Sequence, residues 1–413
     1  MNSNPTNTRD PVQIWTGSLA FLFPFLSLVT LFGVSLGSFL FLVTALISFK
    51  PCRDALVRHW PQVRWVVLAF LLYFLFVLGC ALVRGANMNT VEKPARMFFA
   101  VSSLAAVLAT RAPRRMLWWG VIAGALAALP FVAWQRIGLG IDRPGGLINA
   151  ITFGDLALLL ALLSVTAAID MRDNARQAGL AACGALAGLG ASLLTGSRGG
   201  WLALAVAALL FLRHARVLGR RRVGILLVAG AALFAAAWFV PASGMQARFD
   251  EGVSDVRTWL GGGNVNTRVG TRLELWKGAS MLIAEHPLLG LDFAAGRARL
   301  AEYARDGRLD PVVLELPHLH NDALQVLATG GVVGFALWAA ILLAPLSFFV
   351  RQLRAGPGAP HTAVALAGVL VVTSYVSFGL TEVIFWSMKG SLFYALMVFV
   401  LMGFCLNAKD KIG

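Results

Sequence analysis

The sequence predicts an all-α integral membrane protein with about twelve transmembrane helices and one large, partly helical external loop. Three observations predict it. Hydrophobic residues make up 58% of the 413 positions and charged residues 13%, whereas soluble domains run near about 45–50% and about 25%. Apolar runs of roughly 20 residues recur along the chain, the length that carries a helix across about 30 Å of hydrocarbon. The basic residues between these runs gather on alternate sides, as the positive-inside bias requires. A cytosolic enzyme, a disordered chain and a disulfide scaffold are excluded. The four cysteines, Cys52, Cys80, Cys183 and Cys405, lie in or beside apolar runs without a CxxC pair, so no zinc site or disulfide framework is indicated.

Taken in order, the candidate spans lie near 15–32, 33–49, 65–83, 95–110, 116–134, 151–170, 178–195, 199–213, 223–241, 321–350, 361–381 and 390–407. The run 321–350 is long enough for a span with a half-helix before it, and 199–213 is short for a bilayer. The N-terminus has no basic stretch leading into a small-residue cleavage site, so no cleavable signal peptide is expected. With both ends in the cytoplasm, the cytoplasmic side holds 19 of the 35 Lys and Arg residues, including Arg114, Arg115 and Arg220 to Arg222. The short external connections hold seven, and loop 242–320 holds nine beside ten acids. The chain thus divides into 1–241 (nine spans), 242–320 (the external loop) and 321–413 (three spans and a cytoplasmic tail). The net charge of +15 is spent on orientation, and no nucleic-acid partner is predicted.

The loop is expected to fold. Segment 268–285 carries Leu275, Trp276, Ala279, Leu282 and Ile283 at helical spacing until His286-Pro287 ends it. The glycine-rich 257–266 reads as a turn, and 292–310 as a second amphipathic helix. A loop this long with apolar content is expected to be functional. No internal repeat of the kind that builds inverted-repeat transporters is present.

Chemistry-bearing residues concentrate at the external face. Arg198 stands in Thr195-Gly196-Ser197-Arg198-Gly199-Gly200, Arg143 precedes Pro144-Gly145-Gly146, Arg84 precedes Gly85, and Arg272 sits on the loop helix. A single interfacial arginine can simply snorkel to headgroups. Several on one face suit an anionic ligand, because guanidinium binds phosphate oxygens bidentately. The stretch His318-Leu319-His320-Asn321-Asp322 stands where the loop re-enters the membrane, and an imidazole there has the basicity for general-base work. A metal held by His318 and His320 would need a third ligand, and none stands at fitting spacing, so no metal is predicted. Asp155, Asp322 and Glu382 are the acids nearest this face, each able to orient a base or pair with an arginine.

These residues resemble a family. His320-Asn321, nine residues, then Gly331-Val332-Val333-Gly334 is similar to the H-N-x9-G-x-x-G signature of bacterial O-antigen ligases. The 195–200 turn resembles their T-x-S-R-G motif. Arg272 with Trp276, and His286-Pro287-Leu288-Leu289-Gly290, resemble their R-x3-W and HP-x-x-G stretches. The ordered set covers about 195 to 335; the earlier spans match only in layout.

The resemblance implies a GT-C-type membrane glycosyltransferase in the inner membrane of a Gram-negative bacterium, with its site in the periplasm. It implies transfer of O-antigen glycan from undecaprenyl pyrophosphate to a sugar hydroxyl of lipid A–core, among membrane lipids and with no cofactor or metal. His320 would be the general base, and Arg198 and Arg272 would bind the pyrophosphate. Arg84 and Arg143 would be further phosphate contacts, with His318, Asn321 and Glu382 supporting. An O-antigen polymerase or a protein O-oligosaccharyltransferase of the same superfamily is the alternative. An anionic-lipid transporter would instead need charges inside the spans, and these spans are nearly free of them.

Overall fold

The computed structural model describes residues 10–197, 199–214, 245–355 and 359–410, with scattered positions between 224 and 239. Its helices are α1 (Pro11–Phe25), α2 (Gly33–Ile47), α3 (Phe49–Arg84), α4 (Asn89–Phe99), α5 (Val101–Thr110), α6 (Arg115–Ala133), α7 (Ala150–Asp170), α8 (Ala175–Leu194), α9 (Trp201–Arg213), α10 (Met245–Leu260), α11 (Gly270–Glu285), α12 (Phe293–Arg305), α13 (Asp322–Ala355), α14 (Thr362–Gly379) and α15 (Met388–Lys409). There is no β-strand among the described residues.

Seven of these helices are long and apolar enough to cross a membrane: α3, α6 with the π-helical turn that extends it to Gly138, α7, α8, α13, α14 and α15. The spans expected near 15–32, 33–49, 95–110 and 199–213 appear as the shorter helices α1, α2, α4–α5 and α9. The span expected at 223–241 lies outside the described residues except for scattered positions. The basic stretch 50–64, read as a connection, is instead the first half of α3, which runs unbroken for 36 residues. Its charges sit on exposed faces of a helix that continues through Pro61.

The bundle closes around α15, whose apolar stretch is wholly buried against α5 and α14. Most backbone groups inside a helix are satisfied by its own turn, so it is chiefly the side-chain polar groups that need partners. Tyr394 donates to the Ile341 carbonyl, Tyr375 to Gly390, and Asn407 to Val107, linking α15 to three neighbours. Small residues let backbones approach: a Cβ on Gly124 would stand 2.6 Å from the Pro24 carbonyl oxygen, so α6 and α1 meet there.

The 245–320 segment forms a second, smaller core of Leu275, Leu282, Leu300, Tyr303, Leu309 and Val313, completed by Leu319 and by Ala328 of α13. Glu274 is its polar hub. It accepts hydrogen bonds from Trp259 Nε1, Lys277 and the Asp310 N–H. Arg297 gathers the carbonyls of Val313, Leu314 and Leu316, and so shapes the strand of chain that leads to His318.

Two of the sequence motifs form one clasp. Helix α13 is broken at Gly331, with φ 61° and ψ −165°. The His286–Gly290 stretch docks into the break, where Leu291, Val332 and Val333 N–H groups meet the carbonyls of Ala328, Pro287 and Leu288. A Cβ at Gly331 would collide with the Leu288 backbone, and one at Gly290 would lie 2.6 Å from the Ala328 carbonyl. The half-helix expected ahead of the 321–350 span is therefore the stretch of α13 before this break.

Candidate active site

The loop end of the bundle brings together three segments distant in sequence. The first is 317–322, entering α13. Asn321 caps that helix, its Oδ1 accepting the Leu324 N–H, and its amide donates to the Leu380 carbonyl. The cap satisfies an orphan donor of the first turn and ties α13 to the 380–387 segment. Leu319 is pinned at both backbone groups: its N–H reaches Gln325 Oε1 and its carbonyl accepts from Trp276 Nε1. His320 follows with φ 51°, in the left-handed region that a non-glycine residue rarely enters. The Trp276 and Asn321 bonds on either side hold it there.

The second segment supplies Glu382, 2% exposed, between α14 and α15. One carboxylate oxygen lies 3.0 Å from His320 Nδ1 and the other 3.1 Å from His318 Nε2. The two imidazole rings stand 4.4 Å apart, edge to face. Burial works against ionisation of Glu382. The hydrogen bond from His320, the charges of both rings and the Val383 N–H outweigh it and hold the carboxyl below its usual range. Burial also pushes His318 down from 6.5 to about 4, so its ring is neutral near pH 7. An ionised carboxylate only accepts hydrogen bonds. The ring nitrogens facing it must therefore carry the protons, and Nε2 of His320 is left as the basic nitrogen. This is how a carboxylate fixes the tautomer of a working histidine.

The third segment is α11 with Arg272. Burial lowers its pKa, the Glu382 charge raises it and the Arg143 charge lowers it again; all three groups are thus near neighbours. Among the described residues Arg272 makes no hydrogen bond or ion pair. Arg143 is exposed on a loop that Gln135 staples through both backbone groups of Gly146, at 2.9 and 2.8 Å. Arg198 lies outside the described residues. The turn around it packs against the same site: a Cβ on Gly199 would strike Thr381, and one on Gly200 would stand 2.7 Å from Asp155 Oδ1.

Arg84 has a different place. Its guanidinium donates to the carbonyls of Leu289 at 2.7 Å, Gly290 at 3.1 Å and Thr329 at 3.5 Å, bracing the clasp. The donor atoms of His318, His320 and Glu382 lie within 4.8 Å of one another, a spacing a divalent ion could bridge. The third ligand-type group that seemed missing thus stands 62 residues beyond His320, where no spacing rule finds it. A metal there would have to replace the two protons that the rings now give to Glu382. Sequence reasoning also overlooked Trp386, whose indole packs 5.7 Å from the His318 ring and 4.8 Å from Lys93 Nζ. It gave no sign that Trp276 anchors the residue before His320.

The comparisons fit this geometry. An uncharacterized protein of Haemophilus influenzae (strain Rd) is 22% identical over 360 residues, which is 86% of this chain and 90% of the relative. Residues 183–339 match the family model described as O-antigen ligase. The match includes the 195–200 turn, Arg272, both histidines and the Gly331 break, and leaves out Arg84, Arg143 and Glu382. The segment that carries the histidine pair and its loop is therefore similar to the O-antigen ligase family.

Proposed function

We propose that this protein is an O-antigen ligase of a Gram-negative inner membrane, working at the periplasmic face with both chain ends in the cytoplasm. In this reading 242–320 is a periplasmic loop over a bundle of about twelve spans of GT-C type. The donor is a glycan on undecaprenyl pyrophosphate and the acceptor a sugar hydroxyl of lipid A–core. The observation that carries the reading is the pairing of His320 Nδ1 with buried Glu382 at 3.0 Å, with Arg272, which has no hydrogen bond among the described residues, nearby.

The step is a single inverting displacement. His320 Nε2 takes the proton of the acceptor hydroxyl while its oxygen attacks the anomeric carbon of the donor. The bond from that carbon to the phosphate oxygen breaks, and undecaprenyl pyrophosphate leaves. The imidazolium that forms is stabilised by the Glu382 carboxylate, as a general base requires. Negative charge growing on the leaving oxygen is met by Arg272, assisted by Arg143 and Arg198; fixed cations at such a position act most strongly in the transition state. Arginine supplies the charge that a metal supplies elsewhere, so no metal is needed. Arg84 acts at one remove, by holding the clasp that sets α13.

The test is transfer by the purified protein in nanodiscs, given an undecaprenyl-pyrophosphate-linked glycan and lipid A–core. A ladder of capped product that vanishes in His320→Ala is expected. Lengthening of the donor glycan without capping would make the protein a polymerase. No covalent change, with substrates that a known ligase accepts, would overturn the reading. Turnover is expected to survive a strong chelator; loss restored by a divalent ion would instead give His318, His320 and Glu382 a metal.

A further inference from the structure

Beside the histidine pair lies a cavity of about 550 Å³ between α3, α4, the start of α12 and α13, within the size range of ligand pockets. Its apolar lining includes Phe76, Val77 and Met97, and its polar lining Asn87, Asn89, Asp292, Arg84 and Lys93. Asp322 and Trp386 line it as well. None of His318, His320, Glu382, Arg272 or Arg143 lines it, yet Asp322 is two residues past His320 and Val383, also lining, follows Glu382.

We infer that this cavity is the subsite for the acceptor's sugar, a membrane-anchored saccharide seated against Asp322 and Trp386; this rests on the ligase reading. Asp322 is 1% exposed, and its Oδ2 has no hydrogen-bond partner among the described residues. A buried carboxyl oxygen left unpaired is costly and calls for a partner. A polyprenyl chain offers none, and an ionised pyrophosphate, which only accepts, would meet the Asp292 carboxylate. Sugar hydroxyls are donors, and the apolar face of a pyranose packs on an indole such as Trp386. That same indole touches His318 at 5.7 Å, so a sugar stacked on it is one side chain from the histidine pair. Of the cations that line the cavity, Arg84 is taken up by the Leu289 and Gly290 carbonyls and Lys93 donates to the Trp386 carbonyl, whereas Arg272 and Arg143 stand outside it, which leaves it to the second substrate. A lining part apolar and part polar matches a headgroup whose acyl anchor stays in the bilayer.

The test is direct binding, independent of turnover. Protein in nanodiscs is titrated with lipid A–core glycolipid and, separately, with undecaprenyl pyrophosphate. Asp322→Asn and Thr90→Trp, the latter filling the exposed mouth, are each expected to weaken glycolipid binding by about tenfold or more, the loss expected of a buried hydrogen bond left unmade. Both should leave undecaprenyl pyrophosphate binding unchanged, and Arg272→Ala should do the reverse. Unaltered glycolipid binding in Thr90→Trp, or loss of undecaprenyl pyrophosphate binding instead, overturns the assignment. Transfer without any effect of the cavity variants would spare the ligase reading and sink this one; glycolipid binding that depends on the cavity without transfer would do the opposite.

Discussion

Two arginines at the loop end of the bundle look alike in sequence and differ in what surrounds them. Arg84 is spent: three carbonyls of Leu289, Gly290 and Thr329 take up its guanidinium. Arg272 makes no hydrogen bond among the described residues and stands near Glu382 and Arg143, both of which act on it electrostatically. The same division separates Asn321 from His320. Asn321 is consumed in capping α13, whereas His320 keeps one ring nitrogen open. The lesson is that an arginine becomes a strut where backbone carbonyls come within its reach, and keeps its guanidinium open where none does.

The largest effect should come from the open side. His320→Ala removes the nitrogen proposed as the base and should lower turnover by about 10²- to 10⁴-fold, with the apparent melting temperature little changed. Kinetics of capped-product formation check this. Activity within a few-fold of wild type would show that His320 is not the base. Glu382→Gln should follow the same trend more weakly, because an amide can still accept from His320 Nδ1 but carries no charge to stabilise the imidazolium.

The two arginines then give the direct contrast. Arg272→Ala should cost about 10²- to 10³-fold in kcat, as loss of one charge-stabilising donor does elsewhere, while the protein melts normally. Lysine should rescue it only in part, because it lacks the bidentate fork. Arg84→Ala should do the opposite. It leaves three carbonyls without their donor and should lower stability by about 1.5–3 kcal/mol per the scale of charged hydrogen bonds, with the folded fraction still turning over. Melting curves and kcat measured on both variants read the difference. Equal loss of kcat with no change in melting for Arg84→Ala would merge the two regions into one site.

The fold was legible where physics is local. Long apolar runs marked α3, α6, α7, α8, α13, α14 and α15, because a span must satisfy its backbone within itself. The histidine pair, Arg272 and Gly331 stand out as residue types at fixed spacing, though not the break in α13 that Gly331 makes. What stayed hidden was joined over long distances. Arg84 meets Leu289 205 residues away, and His320 meets Glu382 62 residues away. No periodicity links such pairs; only the packing of α3 and α14 against α13 does. The helical start of α3 was missed for a related reason: charges at 50–64 were read as a connection, although a solvated helix carries charge as readily as a loop.

The clasp offers a smaller test. Gly331→Ala puts a side chain at φ 61° and drives its Cβ into the Leu288 backbone. Strain of this kind costs about 1–3 kcal/mol. The expected outcome is a lower melting temperature together with easier proteolysis of the 286–291 stretch, while Val333→Ala, exposed on the next turn, changes neither. If Gly331→Ala melts like wild type, the His286–Gly290 stretch is not held by the break.

The smallest expected effect is the pH dependence of stability, and its sign follows from the histidine pair. His318 titrates at about 4 in the folded protein against 6.5 ordinarily, because burial disfavours its charged form. Between those values the unfolded chain binds a proton that the folded chain does not, so stability falls as pH falls through that window. Glu382 adds to the same trend below its ordinary 4.5, since its carboxyl is held lower by His320, His318 and the Val383 N–H despite burial. The apparent melting temperature should therefore drop steadily from about pH 6.5 to 4, with the shift of His318 setting the window. His318→Gln, which can still donate to Glu382 but cannot titrate, should flatten the upper part of that slope and leave the lower part to Glu382. The same slope in His318→Gln as in wild type would mean that the acid sensitivity belongs to other carboxylates and that His318 is not kept neutral by the fold.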